Sequence, residues 1–524
     1  MRAQIAGSST DRPATRGQAA PVAEGEPYGQ ILKSSVLIGG SSALNVALGI
    51  IRSKAMALLL GPAGFGLMGL YMSISNLAQS IAGMGVNSSG VRQIAAAVGT
   101  GDTARIARTA AVLRRTSVAL GALGAALLLV LSGSVSRLTF GSGERTLPVA
   151  LLSLAVLFKV VSDGQAALVQ GLRRIPDLVR IAAYGGLVAT FTTIALVYLF
   201  GERGVVPSLI ATAGATLIFS WWFGRKARFP TLPLAPSEVG LEVRALLKLG
   251  FAFMASGMLT MGTAYAVRLL IVRLVRFEAA GLYHSAWTLG GLYVGFILQA
   301  MGADFYPRLT AVVRDRAQCN RLVNDQVQIS LLLAGPGVIA TLTFAPLVLG
   351  ILYSRAFGEA AMILRWTCMG AALQVVSWPI GFIILAEGNQ RLFFWTELAF
   401  TVFHVGMAWV LVAALGVNGA GMAFFLAYVF HASVVYAVVR RLTGFAWSAA
   451  NLRLGFFFLG LIGLVFCGFW ALAPGVATAA GCLALLASGI YSFRTLVRLV
   501  APDRLPRPLR RLLALGGIGP PGKG

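Results

Sequence analysis

Runs of about twenty apolar residues, separated by short polar or glycine-containing breaks, recur from residue 31 to residue 499. At 1.5 Å per residue, a helix of about 20 residues crosses roughly 30 Å of hydrocarbon. A helix also satisfies its own backbone groups where no water can do so. The pattern predicts fourteen helices, over 31–60, 64–90, 110–132, 147–170, 178–200, 204–224, 244–274, 280–305, 327–352, 360–386, 392–415, 418–440, 453–473 and 475–499. Apart from basic residues near helix ends, which are counted with the adjoining tails and loops, five are assigned to the helices: Arg52, Lys54, Lys159, Arg268 and Arg365. The chain reads as an all-α polytopic membrane protein.

Charge refines that picture. Lys and Arg outnumber Asp and Glu by 43 to 18, a formal net charge of +25 that in a soluble protein would suggest nucleic acid. Their distribution points elsewhere. With the N-terminus inside, 32 basic residues fall in the tails and inner loops and 6 in the outer loops. That asymmetry predicts that both termini are cytoplasmic. Only 12% of residues are charged and the mean hydropathy is +0.80, far from the roughly one quarter charged of soluble domains. Cys319, Cys368, Cys467 and Cys482 are scattered without CxxC spacing or histidine neighbours, so no disulfide framework or metal site is read. Residues 1–30 lack an apolar core and read as a disordered cytoplasmic tail rather than a signal peptide. Residues 500–524 form a basic cytoplasmic tail suited to anionic lipid.

The helices fall into two similar sets. Arg52 and Arg268 lie 216 residues apart, and Gly66 and Gly281 lie 215 apart. Met84–Asn87 match Met301–Asp304 at 217, as do Gly171 and Gly388, while Gly201 and Gly204 match Gly416 and Gly419 at 215. Anchors in order at nearly one offset indicate an internal repeat. The predicted units are a six-helix bundle over 31–224, a cytoplasmic linker over 225–243, a second six-helix bundle over 244–440, and two additional helices over 441–499. An even number of helices gives both bundles one orientation, related by a pseudo-twofold axis along the membrane normal.

Polar residues inside the helices are the candidate site. Ser41, Asn45, Gly49 and Arg52 share a face of the first helix, and Ser73, Asn76, Ser80, Gly83 and Asn87 share one of the second. Close helix packing is the alternative use of such small polar stripes. Thr260, Ala264 and Arg268 repeat the pattern on the seventh helix. A guanidinium at depth needs a wet cavity or a partner, and two of them without matching carboxylates suit a phosphate anion; snorkelling to headgroups is the alternative. Lys54 lies on another face. Asn87 and Asp304 are read as ending the second and eighth helices at the inner rim, as gating residues or plain helix-end groups. Lys159 and Asp163 predict an ion pair that the second half lacks, and Glu397, Thr401 and His404 share a face, a candidate proton relay. These charged groups make Na⁺ or H⁺ the candidate coupling ion. His431 reads as a packed histidine. With no catalytic motif and outer loops no longer than about 15 residues, the sequence argues against an enzyme and implies no cofactor.

GPAGFGLMGLY (61–71), AGMGVNSSGVRQIAA (82–96), AAGLYHSAW (279–287), MGADFYPRLTAV (301–312) and RLFFWTELAF (391–400) together resemble the Wzx-type O-antigen and polysaccharide flippases of the MOP superfamily, over roughly 30–445. That resemblance implies a MOP/MATE-like fold of two V-shaped bundles around a cationic cavity. It also implies an undecaprenyl-pyrophosphate-linked oligosaccharide as substrate, carried across the bacterial inner membrane by alternating access. Arg52 and Arg268 fall where cavity arginines are expected in such flippases, with Ser41, Asn45, Asn76, Ser80 and Thr260 lining the sugar path. Polysaccharide polymerase machinery is the expected partner. The two extra helices are similar to those of lipid II flippases, where they form a lipid-tail groove; the acidic ion sites of MATE exporters have no match. A MATE-like cation or drug antiporter, a membrane-bound polymerase or ligase, and an assembly scaffold are the alternatives.

The charge asymmetry predicts that green fluorescent protein fused at either terminus fluoresces, whereas alkaline phosphatase fused there is inactive. Phosphatase activity at the C-terminus would overturn the orientation.

Overall fold

The computed structural model describes residues 26–226 and 236–499. The expected tails, apart from 26–30, and most of the expected linker lie outside them, as do the side chains of Ser41 and Asp304. Among the described residues there are fifteen α-helices, two single-turn 3₁₀ segments and no strand. In chain order the helices are α1 (Glu26–Gly83), α2 (Val86–Gly99), α3 (Thr103–Phe140), α4 (Thr146–Gly171), α5 (Ile175–Phe200), α6 (Val205–Gly224), α7 (Pro236–Leu274) and α8 (Phe277–Val312). They continue with α9 (Arg316–Thr343), α10 (Ala345–Leu352), α11 (Ala360–Ala386), α12 (Gln390–Leu415), α13 (Asn418–Thr443), α14 (Ala449–Ala471) and α15 (Pro474–Leu499).

Eleven stretches among the described residues are long and apolar enough to span a bilayer. Two of these are each broken inside, at Gly61 and at Gly201–Gly204, and α8 occupies the eighth expected position. All fourteen expected helices therefore have counterparts in this multi-pass membrane protein. Their sequences explain the breaks. Gly61 has φ 63° and ψ −173°, a left-handed conformation that glycine adopts freely, and Pro62 then restarts the helix without needing an N–H partner. Asp102 and Asp315 cap α3 and α9 by accepting from Ala104 N at 2.8 Å and Gln318 N at 3.0 Å, which starts both helices well before their apolar stretches.

The first half packs as a bundle in which α3 lies on α4, α4 on α6, α6 on α5 and α5 on α1. In the second, α11 contacts α8, α9 and α13, and α12 joins α13 to α7. The helices α14 and α15 both lie against α9. Glycine notches seat them: a Cβ on Gly335 would stand 2.2 Å from the Phe458 ring, and one on Gly481 would stand 2.4 Å from Thr343 Oγ1.

Turn geometry repeats between the halves. Gly201 (φ 58°, ψ −134°) closes α5 as Gly416 (φ 65°, ψ −151°) closes α12. A Cβ on Gly204 would meet the Leu196 carbonyl oxygen at 2.2 Å, and one on Gly419 the Leu411 oxygen at 2.1 Å. At the end of α4, Leu172, Arg173 and Arg174 N–H groups donate to Leu168, Gln170 and Val169. At the end of α11, Glu387, Gly388 and Asn389 donate to Ile383, Leu385 and Ile384 in the same order. Every pair is offset by 215. Gly388 therefore registers with Arg173, itself at φ 56°, and not with Gly171 as the glycine match suggested.

Three boundaries differ from expectation. The second expected helix stops at Gly83, and Met84 and Gly85, both at positive φ, turn the chain into the separate helix α2. Asn87 thus lies in the first turn of α2 rather than at a helix end. Asp304 lies inside α8, which continues through Pro307 to Val312. The ninth expected helix divides into α9 and α10 at Phe344, just before Pro346.

Because Gly204 and Gly419 sit in equivalent crowded turns, Gly204→Ala and Gly419→Ala are each expected to destabilise the protein by about 1–3 kcal/mol through overpacking. Gly49→Ala meets nothing within 4 Å and serves as the neutral control. Thermal unfolding in detergent reads all three, and a neutral result at either crowded turn would contradict the packing.

Candidate functional site

The two bundles meet tightly at the end of the molecule marked by Gly61. A Cβ on Gly281 would stand 1.8 Å from the Pro62 carbonyl oxygen, and one on Gly66 would stand 2.7 Å from Gly281 N. Phe65 enters a cluster with His284, Tyr353 and Phe357, at ring separations of 5.0, 5.3 and 5.7 Å. Lys54 donates to the Ile351 carbonyl at 2.7 Å, Arg273 to Arg137 O at 2.7 Å, and the hydroxyls of Thr139 and Tyr265 lie 2.6 Å apart. Lys54 thereby bridges the bundles. The charge asymmetry would place this sealed end outside.

Arg268 is buried beside that seal, 7% exposed. Its Nη1 donates to Ala264 O at 3.0 Å, its Nη2 lies 3.3 Å from His284 Nδ1, and its guanidinium carbon is 6.0 Å from the Tyr283 ring centroid. Its Nε has no partner. Arg52 is half-buried on α1, with no hydrogen bond or ion pair recorded among the described residues. No hydrogen bond joins the two arginines among the described residues. Asn45 packs on α5: a Cβ on Gly186 would come within 2.5 Å of its Oδ1.

A small cavity of about 170 Å³ lies near Gly85, between α1, α2, α3, α4 and the middle of α7. Gln79, Ser80, Asn87, Ser117 and Asp163 line it. Lys159 and Asp163 form the expected ion pair, with about a third of each side chain exposed. The expected stripe on α1 divides. Ser73 is buried and donates to Gly69 O at 2.8 Å, and Asn76 is exposed outside the cavity lining. Ser80 alone of those three reaches the cavity.

A larger cavity of about 740 Å³ lies within the second bundle, walled by α7, α8, α11, α12 and α13. Thr260, Glu397, Thr401 and His404 line it, so that the expected face of α12 does line one space. Thr260 is otherwise occupied in a back-bond to Ser256 O at 3.2 Å. His431 is not the isolated packed histidine that the sequence suggested. Its Nδ1 lies 3.2 Å from Ser377 Oγ, and its Nε2 faces Glu397 Oε1 at 3.6 Å within the cavity. His404 is 2% exposed and its Nε2 has no partner. The aromatic wall, including Trp287, Trp378, Phe400 and Tyr428, was not singled out in the sequence, where such residues are indistinguishable from ordinary core.

A family model described as "Polysaccharide biosynthesis protein" matches residues 55–362. Over 423 residues the chain is 20% identical to the lipid III flippase of Escherichia coli (strain K12), covering 78% of this chain and 99% of that one, and it is equally similar to the lipid III flippase of Shigella flexneri. Among solved structures, the inward-facing conformation of a multidrug resistance MATE family transporter of the MOP superfamily gives a TM-score of 0.66 at 18% identity, covering 77% of this chain and 94% of that one. The lipid II flippase MurJ in an inward closed conformation gives 0.64 at 12% identity, covering 89% and 100%. The fold is that of the MOP superfamily. An outward-facing structure of a MATE family transporter gives a TM-score of 0.59 at 18% identity, covering 79% of this chain and 96% of that one.

Removing one partner of Lys159–Asp163 leaves an unpaired charge facing a small space, whereas removing both leaves none. Lys159→Met alone is expected to lower the unfolding midpoint more than Lys159→Met with Asp163→Asn. A double-mutant cycle with additive losses would show that the pair is uncoupled.

Proposed function

Because this chain belongs to the polysaccharide biosynthesis protein family, we propose that it is a flippase for lipid-linked glycans, carrying an undecaprenyl-pyrophosphate-linked oligosaccharide across the bacterial inner membrane by alternating access. The similarity to lipid III flippases over nearly their full length supports the substrate class. The single structural observation that carries the reading is the arrangement of space. The bundles are sealed at the Gly61 end, while the smaller cavity lies at Gly85 and Asn87 and the larger one runs from Val267 and Tyr283, beside the seal, to Phe393 in the first turn of α12. Rocking the bundles about such a seal exposes a central site to one side at a time. An O-antigen or exopolysaccharide repeat unit is the proposed glycan, and the flippase is proposed to pass it to polymerase machinery in the same membrane.

The pyrophosphate is assigned to Arg52 and Arg268. Arg52 has its donors uncommitted, and Arg268 retains an unpartnered Nε, so both keep hydrogen-bonding capacity for a phosphate oxygen. Movement of the bundles would free Arg268 from His284. Na⁺ or H⁺ is the proposed coupling ion, with Lys159–Asp163 and the Glu397–His404 face as the groups that would sense it and Asn87 and Asp304 as inner gating positions. A cation or drug antiporter is the second reading, favoured by the Glu397 carboxylate in the larger cavity.

Glycan export in a deletion strain complemented by variants tests the arginines. A hydrogen bond to a charged group contributes about 1.5–3 kcal/mol, so Arg52→Ala should reduce export by about tenfold or more at unchanged protein level. Arg268→Lys, which keeps the charge but loses the planar fork, should also reduce it. Full export by both variants would remove the arginines from the site.

A further inference from the structure

The larger cavity differs in chemistry from the rest of the molecule. Although the chain carries 43 Lys and Arg, none of those among the described residues lines this space, and the one acidic group among the described lining residues is Glu397. Ala264 and Val267 form part of the wall, while the neighbouring Arg268 is not among the described lining residues and directs its Nη groups to Ala264 O and His284. A pyrophosphate finds no cation here. The volume, about 740 Å³, lies within the roughly 300–1,000 Å³ of small-ligand pockets.

Its lining combines two kinds of group. Trp287, Trp378, Phe400 and Tyr428 supply apolar ring surfaces, against which the C–H faces of a pyranose lose water favourably. Glu397 and His404 supply hydrogen-bonding groups with capacity left over. The 3.6 Å separation of Glu397 from His431 is too long for a hydrogen bond, and a third of the Glu397 side chain remains exposed. His404 Nε2 is wholly buried and unpartnered. An orphaned polar atom at a cavity wall marks a place where a ligand hydroxyl would satisfy it.

Resting on the flippase reading, we propose that this cavity is a glycan subsite that takes an uncharged sugar ring of the lipid-linked substrate, stacked on the aromatic wall and hydrogen-bonded by Glu397 and His404. The carboxylate gives it selectivity. A uronic acid placed there would set a second carboxylate beside Glu397 in a poorly hydrated space, where like charges repel strongly. Among the described lining residues His404, His431, Tyr283 and Tyr428 are the other titratable groups, and neither histidine stands with a carboxylate closer than the 3.6 Å of the His431–Glu397 pair. The phosphate end and the sugar end of the substrate are thus recognised by separate regions of opposite character.

The test uses the full-length protein and two synthetic probes, a short-chain polyprenyl diphosphate carrying N-acetylglucosamine and the same lipid carrying glucuronic acid. Binding is read in detergent from quenching of tryptophan fluorescence, and movement is read in proteoliposomes. The expected result is about tenfold tighter binding of the neutral probe, a preference that Glu397→Gln reduces to within about threefold. Equal binding of the two probes, absence of binding, or a preference that persists in Glu397→Gln would overturn the subsite. So would loss of movement of both probes in Glu397→Gln with the binding preference intact, which would leave Glu397 with the coupling role alone. Selective binding without movement in the wild type would defeat the flippase reading and leave the subsite standing.

Discussion

Hydrocarbon solvates no charge, and Arg268 lies in a helix long and apolar enough to span it, its guanidinium held by the Ala264 carbonyl and His284 and faced by Tyr283, with no carboxylate partner among the described residues. A cation in that position is tolerated only where neighbouring dipoles replace water. The back-bond to Ala264 keeps the side chain along α7, and His284 on α8 receives it from across the bundle. His284 in turn packs on Phe65 and against Gly69 of α1, where a Cβ would stand 2.9 Å from the ring. The arginine is therefore wired through one histidine to the contact between the two bundles. A change in that contact necessarily changes the surroundings of the charge.

The halves share turns but not interiors. Gly201 and Gly416, Gly204 and Gly419, and the closures of α4 and α11 repeat at a constant offset because chain direction at a helix end depends on backbone conformation alone. Side chains facing inward are under no such constraint. The first bundle holds a small space with a cation–carboxylate pair, and the second a space more than four times larger with aromatic walls. Such asymmetry suits a substrate whose two ends differ in chemistry.

Much of the fold was legible in the sequence because spanning helices need long apolar runs and their turns need glycine. What escaped had neither signature. The helix α2 is short and half polar, so it reads as a loop by hydropathy, and only the paired positive φ angles of Met84 and Gly85 separate it from α1. The site was less legible. The face of Glu397, Thr401 and His404 was visible because its spacing lies within one helix. The approach of His431 and Ser377 to that face comes from α13 and α11, and no spacing along the chain records it. The polar stripe of α1 likewise looks uniform in sequence, yet burial of Ser73 and exposure of Asn76 are decided by neighbouring helices.

The meeting of Pro62 and Gly66 with Gly281 is backbone against backbone. Glycine has no rotamers, so parting or closing this joint neither frees nor freezes a side chain there. A seal made of long interdigitating residues would have to reassemble a jigsaw at each closure. At the Gly281 joint bare peptide planes meet in a single way, which leaves only the surrounding side chains, Phe65 and Lys54 among them, to be seated again.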